Sequence, residues 1–389
     1  MSPRFGPARI RPHLIVVLVA LMLLLPVTAA SAAATWTRVA SPNRGTVASA
    51  LQDVAMVPGT STAWAVGYYY DSTLAAYRTM TQRFNGSWSI VASPNPTTTG
   101  YSQLNRVDAT APDNVWAIGY DSQTGTLVER WNGSTWGVVA APTGIAPRGL
   151  DVVSTNEVWV AGYSGSAATI SQWTNGKWTA KYTQPPVAGR HLTVFEGIAV
   201  GPSGQVWAVG WDRDYNAPGR PVSSLVVHFD GTSWKREVTP NPANRNTLND
   251  VALTNGDVFA VGVAQTTSGG GITPRSLLLR RHNGTWSSLD VPPGEAGSTD
   301  QLLSVAAVSS TSIWAVGYYN SPTSGLYEPL LVHWVGNGTI ATSQISPPLT
   351  VSGLASGVTA AATGDLWAAG YTAPPGAGNA TLSLRGTGG

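Results

Sequence analysis

No cysteine occurs anywhere in the 389 residues. That excludes a disulfide framework, a thiol nucleophile and every thiolate metal site. Charge is sparse as well: 11% of residues are charged, against about 25% in typical domains. With 22 basic and 20 acidic residues there is no basic excess of the kind that holds nucleic acid or anionic lipid. Long apolar runs are missing with one exception, the twelve residues Leu14 to Leu25, and a membrane-spanning helix needs about 20. No His-x-x-x-His pair, serine nucleophile elbow or phosphate loop is written in the chain. The expectation is a protein with no catalytic set, no metal site and no cofactor.

The one apolar run has a context. Arg4, Arg9 and Arg11 precede it, Pro26 and small residues follow it, and Ala30-Ser31-Ala32 offers a cleavage site. Residues 1–32 therefore read as a secretory signal peptide and 33–389 as the mature domain. Removal of the three leader arginines leaves 19 basic against 20 acidic residues. The mature chain is expected to be secreted, extracellular, free of the membrane and monomeric.

What is abundant is repetition. "AWAVGY" at Trp64 returns as "VWAIGY" at Trp116, "VWVAGY" at Trp159, "VWAVGW" at Trp207, "VFAVGV" at Phe259, "IWAVGY" at Trp314 and "LWAAGY" at Trp367, spaced 52, 43, 48, 52, 55 and 53 residues apart. A short apolar run such as "LQDVAMV" or "LNDVALT" precedes each copy. Another follows it and ends in a turn and a tryptophan, as in "QRFNGSW" and "QWTNGKW". These runs are β-branched or aromatic and bounded by Gly, Pro, Asn and Ser, which marks strands, and Asn-Gly marks tight hairpins. Four strands per unit at this period predict an all-β chain, a seven-bladed β-propeller of four-stranded antiparallel blades.

The last unit is short of a strand. It holds "VTAAA", "LWAAGY" and "TLSLRG" and no fourth run. The missing segment stands at the other end of the mature chain, where "WTRVASPN" (Trp36 to Asn43) matches "WSIVASPN" (Trp88 to Asn95). The mature N-terminus is thus expected to complete the seventh blade. Both tryptophan sets repeat in nearly every unit and read as packing, the WAVG tryptophan between blades and the post-turn tryptophan over the outer edge.

The composite pattern L-x-x-V-A, V-W-A-V-G-Y, R-W-N-G-S-x-W resembles a repeat of secreted bacterial β-propeller proteins and is kelch-like. It departs from kelch at the second glycine of the doublet, occupied here by Tyr68, Tyr120, Tyr163, Trp211, Val263, Tyr318 and Tyr371. The resemblance implies the fold and leaves the function open.

Links between the second and third strands, and between units, are long and carry Tyr, Trp, Arg, Asp and Asn. The other links are short turns. Ligand recognition is therefore expected on the long-link face, at Tyr69, Trp211, Arg213, Asp214, Tyr215, Arg220 and Tyr319, with an extracellular polysaccharide or protein as partner. Tyr68, Tyr120, Tyr163, Tyr318 and Tyr371 read as rim packing. Asp212, Asp214 and Asn216 have the opening spacing of a calcium loop but lack its Gly and Glu. His228 and His333 fall in the slot of Arg83, Arg130 and Arg281, a surface-strand position. Asp53, Asp151, Glu196, Asp250 and Asp300 lie near first-strand starts at mismatched repeat positions, which suggests caps or turns. The alternative function is a polysaccharide hydrolase or lyase with such carboxylates at a central channel.

Overall fold

The computed structural model describes residues 35–185, 191–268, 270–336, 338–361 and 363–387; the leader and its cleavage site lie outside them. The described chain is all-β. Its strands form antiparallel sheets in chain order, numbered here 1 (residues 49–91), 2 (102–138), 3 (146–183), 4 (191–236), 5 (245–289), 6 (299–343) and 7 (352–387). Each is a meander whose first strand lies at one edge. A single parallel bridge, Val222 to Arg245, links sheets 4 and 5. The first strand of every sheet touches the first strand of the next, and that of sheet 7 touches that of sheet 1.

Sheet 7 gains its fourth strand from Thr35–Arg38, antiparallel to Ala380–Thr387, with Trp36 opposite Gly386 and Thr37 opposite Arg385. The Pro-Asn pair that follows, after Ser in sheets 7 and 1 and after Thr in sheet 4, closes the contact. Asn43 Oδ1 accepts the Thr381 N–H at 2.8 Å, as Asn95 Oδ1 accepts that of Thr79 and Asn241 Oδ1 that of Ser224. The repeated motif thus has one job in three sheets, tying the exit of the fourth strand to the third.

The WAVG strands are buried on both faces: Trp64, Ala65 and Val66 are all inaccessible to solvent. Their tryptophans pack between sheets as the repeat predicts. The post-turn tryptophans lie deeper than an outer edge. Trp136 of sheet 2 meets Trp64 of sheet 1 edge-on at 5.2 Å, and Trp88 of sheet 1 meets Trp367 of sheet 7 at 5.2 Å. The slot opposite each WAVG aromatic is also no free surface. Arg83, Arg130 and Arg385 lie over Trp64, Trp116 and Trp367, while His228 and His333 stack flat on Trp207 and Trp314. In sheet 5 the residue in that slot is Arg280, opposite Phe259, and not Arg281, because the strand register sets the pair.

The glycine of WAVG has a mechanical reason. Opposite it, the first strand of each sheet carries a β-bulge, for example between Leu51 and Asp53 or between Leu104 and Arg106. A Cβ at Gly119 would lie 1.9 Å from the Gln103 carbonyl oxygen, and the corresponding glycines of the other sheets are equally tight. Gly119→Ala is therefore expected to cost about 3 kcal/mol, the upper range for overpacking, read as a lower urea midpoint. An unchanged midpoint would mean that the bulge adapts freely.

Candidate ligand-binding face

The bulges decide what lines the axis of the molecule. A bulge inserts one residue and re-aims its side chain. Here the inserted residues are Gln52, Asn105, Arg148, Glu196, Asn249, Leu303 and Ser356, one per sheet. Gln52, Glu196, Asn249, Leu303 and Ser356 meet around one small cavity of about 170 Å³, together with Arg106. The repeat is regular in its backbone and irregular in these side chains, so sevenfold similarity ends at this layer.

A second cavity, of about 390 Å³, is lined by Asp53, Arg106, Asp108, Asp151, Asp250 and Ser304. These carboxylates are neither caps nor turn residues. Each accepts a backbone N–H from the first strand of the next sheet. Asp53 takes Val107 at 3.0 Å, Asp108 takes Val152 at 2.6 Å, Asp151 takes Val200 at 3.0 Å and Asp250 takes Val305 at 2.9 Å. Ser304 Oγ accepts Val358 N–H at 3.3 Å, and Thr359 Oγ1 accepts Met56 N–H at 3.2 Å. The mismatch in the repeat has a simple origin. The acceptor stands either one or three residues after the bulge, and both positions reach the neighbour. In sheet 4 these positions hold Gly197 and Ala199, and there the bridge from Val222 to Arg245 links that sheet to the next.

Burial sets the charge state of these groups. It pushes Asp53 up to about 7, with the Arg106 guanidinium opposing, and Asp108 up to about 6. Asp151 is driven well above the usual carboxylate range by burial and by Asp108, and Asp250 is raised by burial. Asp300, grouped with these acids by sequence, instead accepts the Ser276 N–H at 2.7 Å and pairs with Arg275.

In an antiparallel meander the second-to-third links and the crossings to the next sheet share one end. That end carries an aromatic series. Tyr68, Tyr120, Tyr163, Trp211, Tyr318 and Tyr371, all expected to be rim packing except Trp211, are partly or largely exposed. Tyr371 acts electrostatically on Tyr68, and Tyr318 on Tyr371, so the series runs from sheet to sheet. Trp211 Nε1 donates to Glu196 Oε1 at 3.1 Å, joining the series to the bulge layer. Burial raises Tyr68, Tyr318 and Tyr371 above the usual phenol range, which keeps them hydrogen-bond donors.

The other residues predicted for this face are divided. Arg213 and Arg220 flank the Tyr215 ring at 5.0 and 6.0 Å. Asp214 Oδ1 accepts the N–H groups of Asn216 and Ala217 and so shapes its own turn. Asp212, of the calcium-like spacing, is held by Arg236 and His191. Tyr69 and Tyr319 are buried at 7% and 5% exposure, and the Tyr319 hydroxyl donates to Glu328. Both lie in stretches that the sequence predicts to be loops. Those stretches continue as strand, Ala63–Asp71 and Ser312–Asn320, and strand alternation turns every second side chain inward.

Sequence reading passed over Tyr101, Gln103, Asn105 and Arg148, which line a cavity of about 760 Å³ at the same end, between sheets 2 and 3. For Asn105 the signal was available in the fixed place of the bulge within the L-x-x-V run, whereas the bulge that inserts Arg148, between Pro147 and Gly149, falls in no such run. The opposite end has a cavity of about 860 Å³ beside Trp207, His228 and Asp257. Its charged groups are spent on one another: Asp257 holds Arg280 and His282, and Glu237 faces Arg281 and His228.

No family model matches the chain, and no curated protein sequence matches it. Solved structures do. A structure of YCF48 bound to D1 peptide aligns with a TM-score of 0.54 and 12% identity, over 90% of this chain and 94% of that one. An ulvan lyase, a polysaccharide lyase, aligns at 0.54 and 10%, over 88% and 97%. A chain of the mitotic checkpoint complex aligns at 0.50 and 11%, over 89% and 93%. These are β-propeller-type proteins, and the fold of this chain is of that type.

Proposed function

We propose that the chain is an exported, monomeric, seven-bladed β-propeller, closed by Thr35–Arg38, that binds an extracellular polysaccharide or protein without catalysis on its long-link face. The observation that carries the binding face is the series of partly exposed aromatics above a bulge layer in which only sheets 2 and 5 share a residue type, Asn105 and Asn249. Exposed tyrosine and tryptophan offer broad contact area at low entropic cost, and a ring that breaks its own symmetry is suited to one ligand orientation. The strand pairing of Trp36 with Gly386 supports closure, and the continuous contact of first strands from sheet 1 round to sheet 7 supports the blade count. The YCF48 structure has a bound peptide and the lyase acts on a polysaccharide, which fits both partner classes.

The reading of a hydrolase or lyase draws on one observation, the raised carboxylates that share the 390 Å³ cavity. Binding is favoured because those oxygens already receive the backbone of the neighbouring sheet. The test is an array of extracellular glycans and peptides probed with the mature chain. The expected result is a ligand whose binding is lost on combined Trp211→Ala and Tyr215→Ala, with the melting temperature held within a few degrees. Binding that survives this change and is lost on Lys177→Glu, at the short-turn end, would refute the face. Chain cleavage of the bound glycan, abolished by Asp53→Asn, would refute the absence of catalysis.

A further inference from the structure

Within that face, one cleft carries a positive charge that no carboxylate among the described residues answers. The cavity between sheets 2 and 3 is lined by Tyr101, Gln103, Asn105, Tyr120, Arg148 and Tyr163 among others, and no aspartate or glutamate contributes to it. Arg148 is the inserted residue of its bulge, between Pro147 and Gly149, and is exposed. Its guanidinium lies 5.8 Å from the Tyr163 ring centre, and among the described residues no carboxylate comes within salt-bridge distance of it. Two other arginines at this end are occupied, Arg78 by the Thr97 and Thr98 carbonyls and Arg275 by Asp300, while Arg213 and Arg220 flank Tyr215 outside this cleft.

The walls add a second kind of chemistry. Tyr101 and Tyr120 are 46% and 40% exposed, their rings 5.5 Å apart and tilted by 33°. The neighbouring Tyr101 hydroxyl raises the Tyr120 phenol above its ordinary value. Among the described residues the side-chain amides of Gln103 and Asn105 make no hydrogen bond within the protein. The cleft therefore offers aromatic surface, free amide donors and acceptors, and one unpaired planar cation. Its volume falls in the range of small-ligand sites, about 300–1,000 Å³.

We infer that this cleft binds a carboxylated sugar, a uronate unit of an acidic polysaccharide. This rests on the proposed binding face and names the ligand class for it. The pyranose ring lays its C–H face on Tyr101 and Tyr120, the carboxylate takes two parallel N–H bonds from Arg148, and Gln103 and Asn105 meet ring hydroxyls. An acidic peptide satisfies the charge, but its side chains gain little here, because the exposed walls are phenol, threonine and glycine, and the one large aliphatic side chain lining the cleft, Ile145, is buried.

The probe is an oligogalacturonate hexamer titrated into the mature chain by calorimetry, beside a neutral glucose hexamer and a hexaglutamate peptide. The uronate should bind, weaken with added salt, and lose at least tenfold in affinity on Arg148→Gln with no change in melting temperature. Arg148→Lys should recover only part of the loss, since lysine keeps the charge but not the bidentate geometry. The neutral hexamer should bind more weakly and be indifferent to Arg148→Gln. No uronate binding, or equal binding by Arg148→Gln, overturns the inference. So does hexaglutamate that binds as tightly as the uronate. Uronate binding that resists Arg148→Gln but fails in Trp211→Ala overturns this cleft while sparing the face. Binding that resists both and fails in Lys177→Glu overturns both.

Discussion

A mature chain lacking Trp36 to Asn43 is expected to melt many degrees lower than the intact one and to elute as oligomers. Four losses combine. Trp36 is fully buried and packs edge-on against Trp314 at 5.3 Å, and truncation of a buried tryptophan alone costs about 3–5 kcal/mol. The ladder to Ala380–Thr387 disappears, leaving that strand as an open edge available to other chains. Asn43 no longer accepts the Thr381 N–H, and the Pro42 carbonyl no longer receives Gln82 Nε2 of sheet 1 at 2.7 Å. The last contact ties the segment to two sheets at once. Trp36→Ala alone should reproduce most of the thermal loss without exposing the edge, so it should remain monomeric. A truncated chain that melts with the wild type and elutes as a monomer would show that the strand is an ornament.

Raising the pH from 5 to 8 is expected to destabilise the protein through its buried acids. Burial pushes the folded pKa of Asp53 up to about 7, above its ordinary value of 3.8. Between those values the folded state keeps a proton that the unfolded state has released. Stability is therefore greatest at the acid end, falls by roughly 1.4 kcal/mol per pH unit, and levels off once Asp53 has ionised. Asp53→Asn keeps an oxygen for the Val107 N–H and removes the charge. Its stability relative to wild type should rise steadily from pH 5 to about 7. Subtracting wild type from variant cancels His228 and His333, whose burial lowers them and which act in the opposite sense below about pH 6.5. Glu129 should behave alike. It is fully buried, neither carboxylate oxygen has a hydrogen bond among the described residues, and burial holds it well above its usual range. The same slot in sheet 1 holds Gln82, so Glu129→Gln should stabilise the protein at pH 8. Denaturant midpoints for the three chains at four pH values suffice. A wild type that gains stability from pH 5 to 8 while Asp53→Asn loses ground would refute the assignment.

Strands, tight turns and the sheet-completing role of Trp36 were legible because they are written in local and repeated patterns. Asn175-Gly176 and Asn283-Gly284 show this: all four residues have positive φ, as the two-residue hairpin they predict requires. The candidate site was legible only in its address. Tyr69 and Tyr319 were chosen as loop residues, but their strands run on past the WAVG glycine and turn them inward. Tyr120 was set aside as packing and is among the most exposed aromatics. Asp108 is absent from the acids the sequence singles out, yet it stands three residues after its bulge as Asp151 does, and both bond the next sheet as Asp53 does from one residue after its own.

The sequence by itself determined the all-β class, the number and period of the repeats, and the segment that pairs with Ala380–Thr387. Alternation, turn chemistry and repeat matching are properties of a few adjacent residues, or of one segment compared with another. Tertiary structure alone decided that Arg148 stands in a tyrosine-lined cleft with no carboxylate partner among the described residues, that Asp53 is a bond between sheets, and which aromatics face water. Each depends on a bulge that shifts the register by one residue, and on a neighbouring sheet supplied by a unit some fifty residues away. A one-residue shift reverses inside and outside, and no local pattern reports what the next sheet brings to meet it.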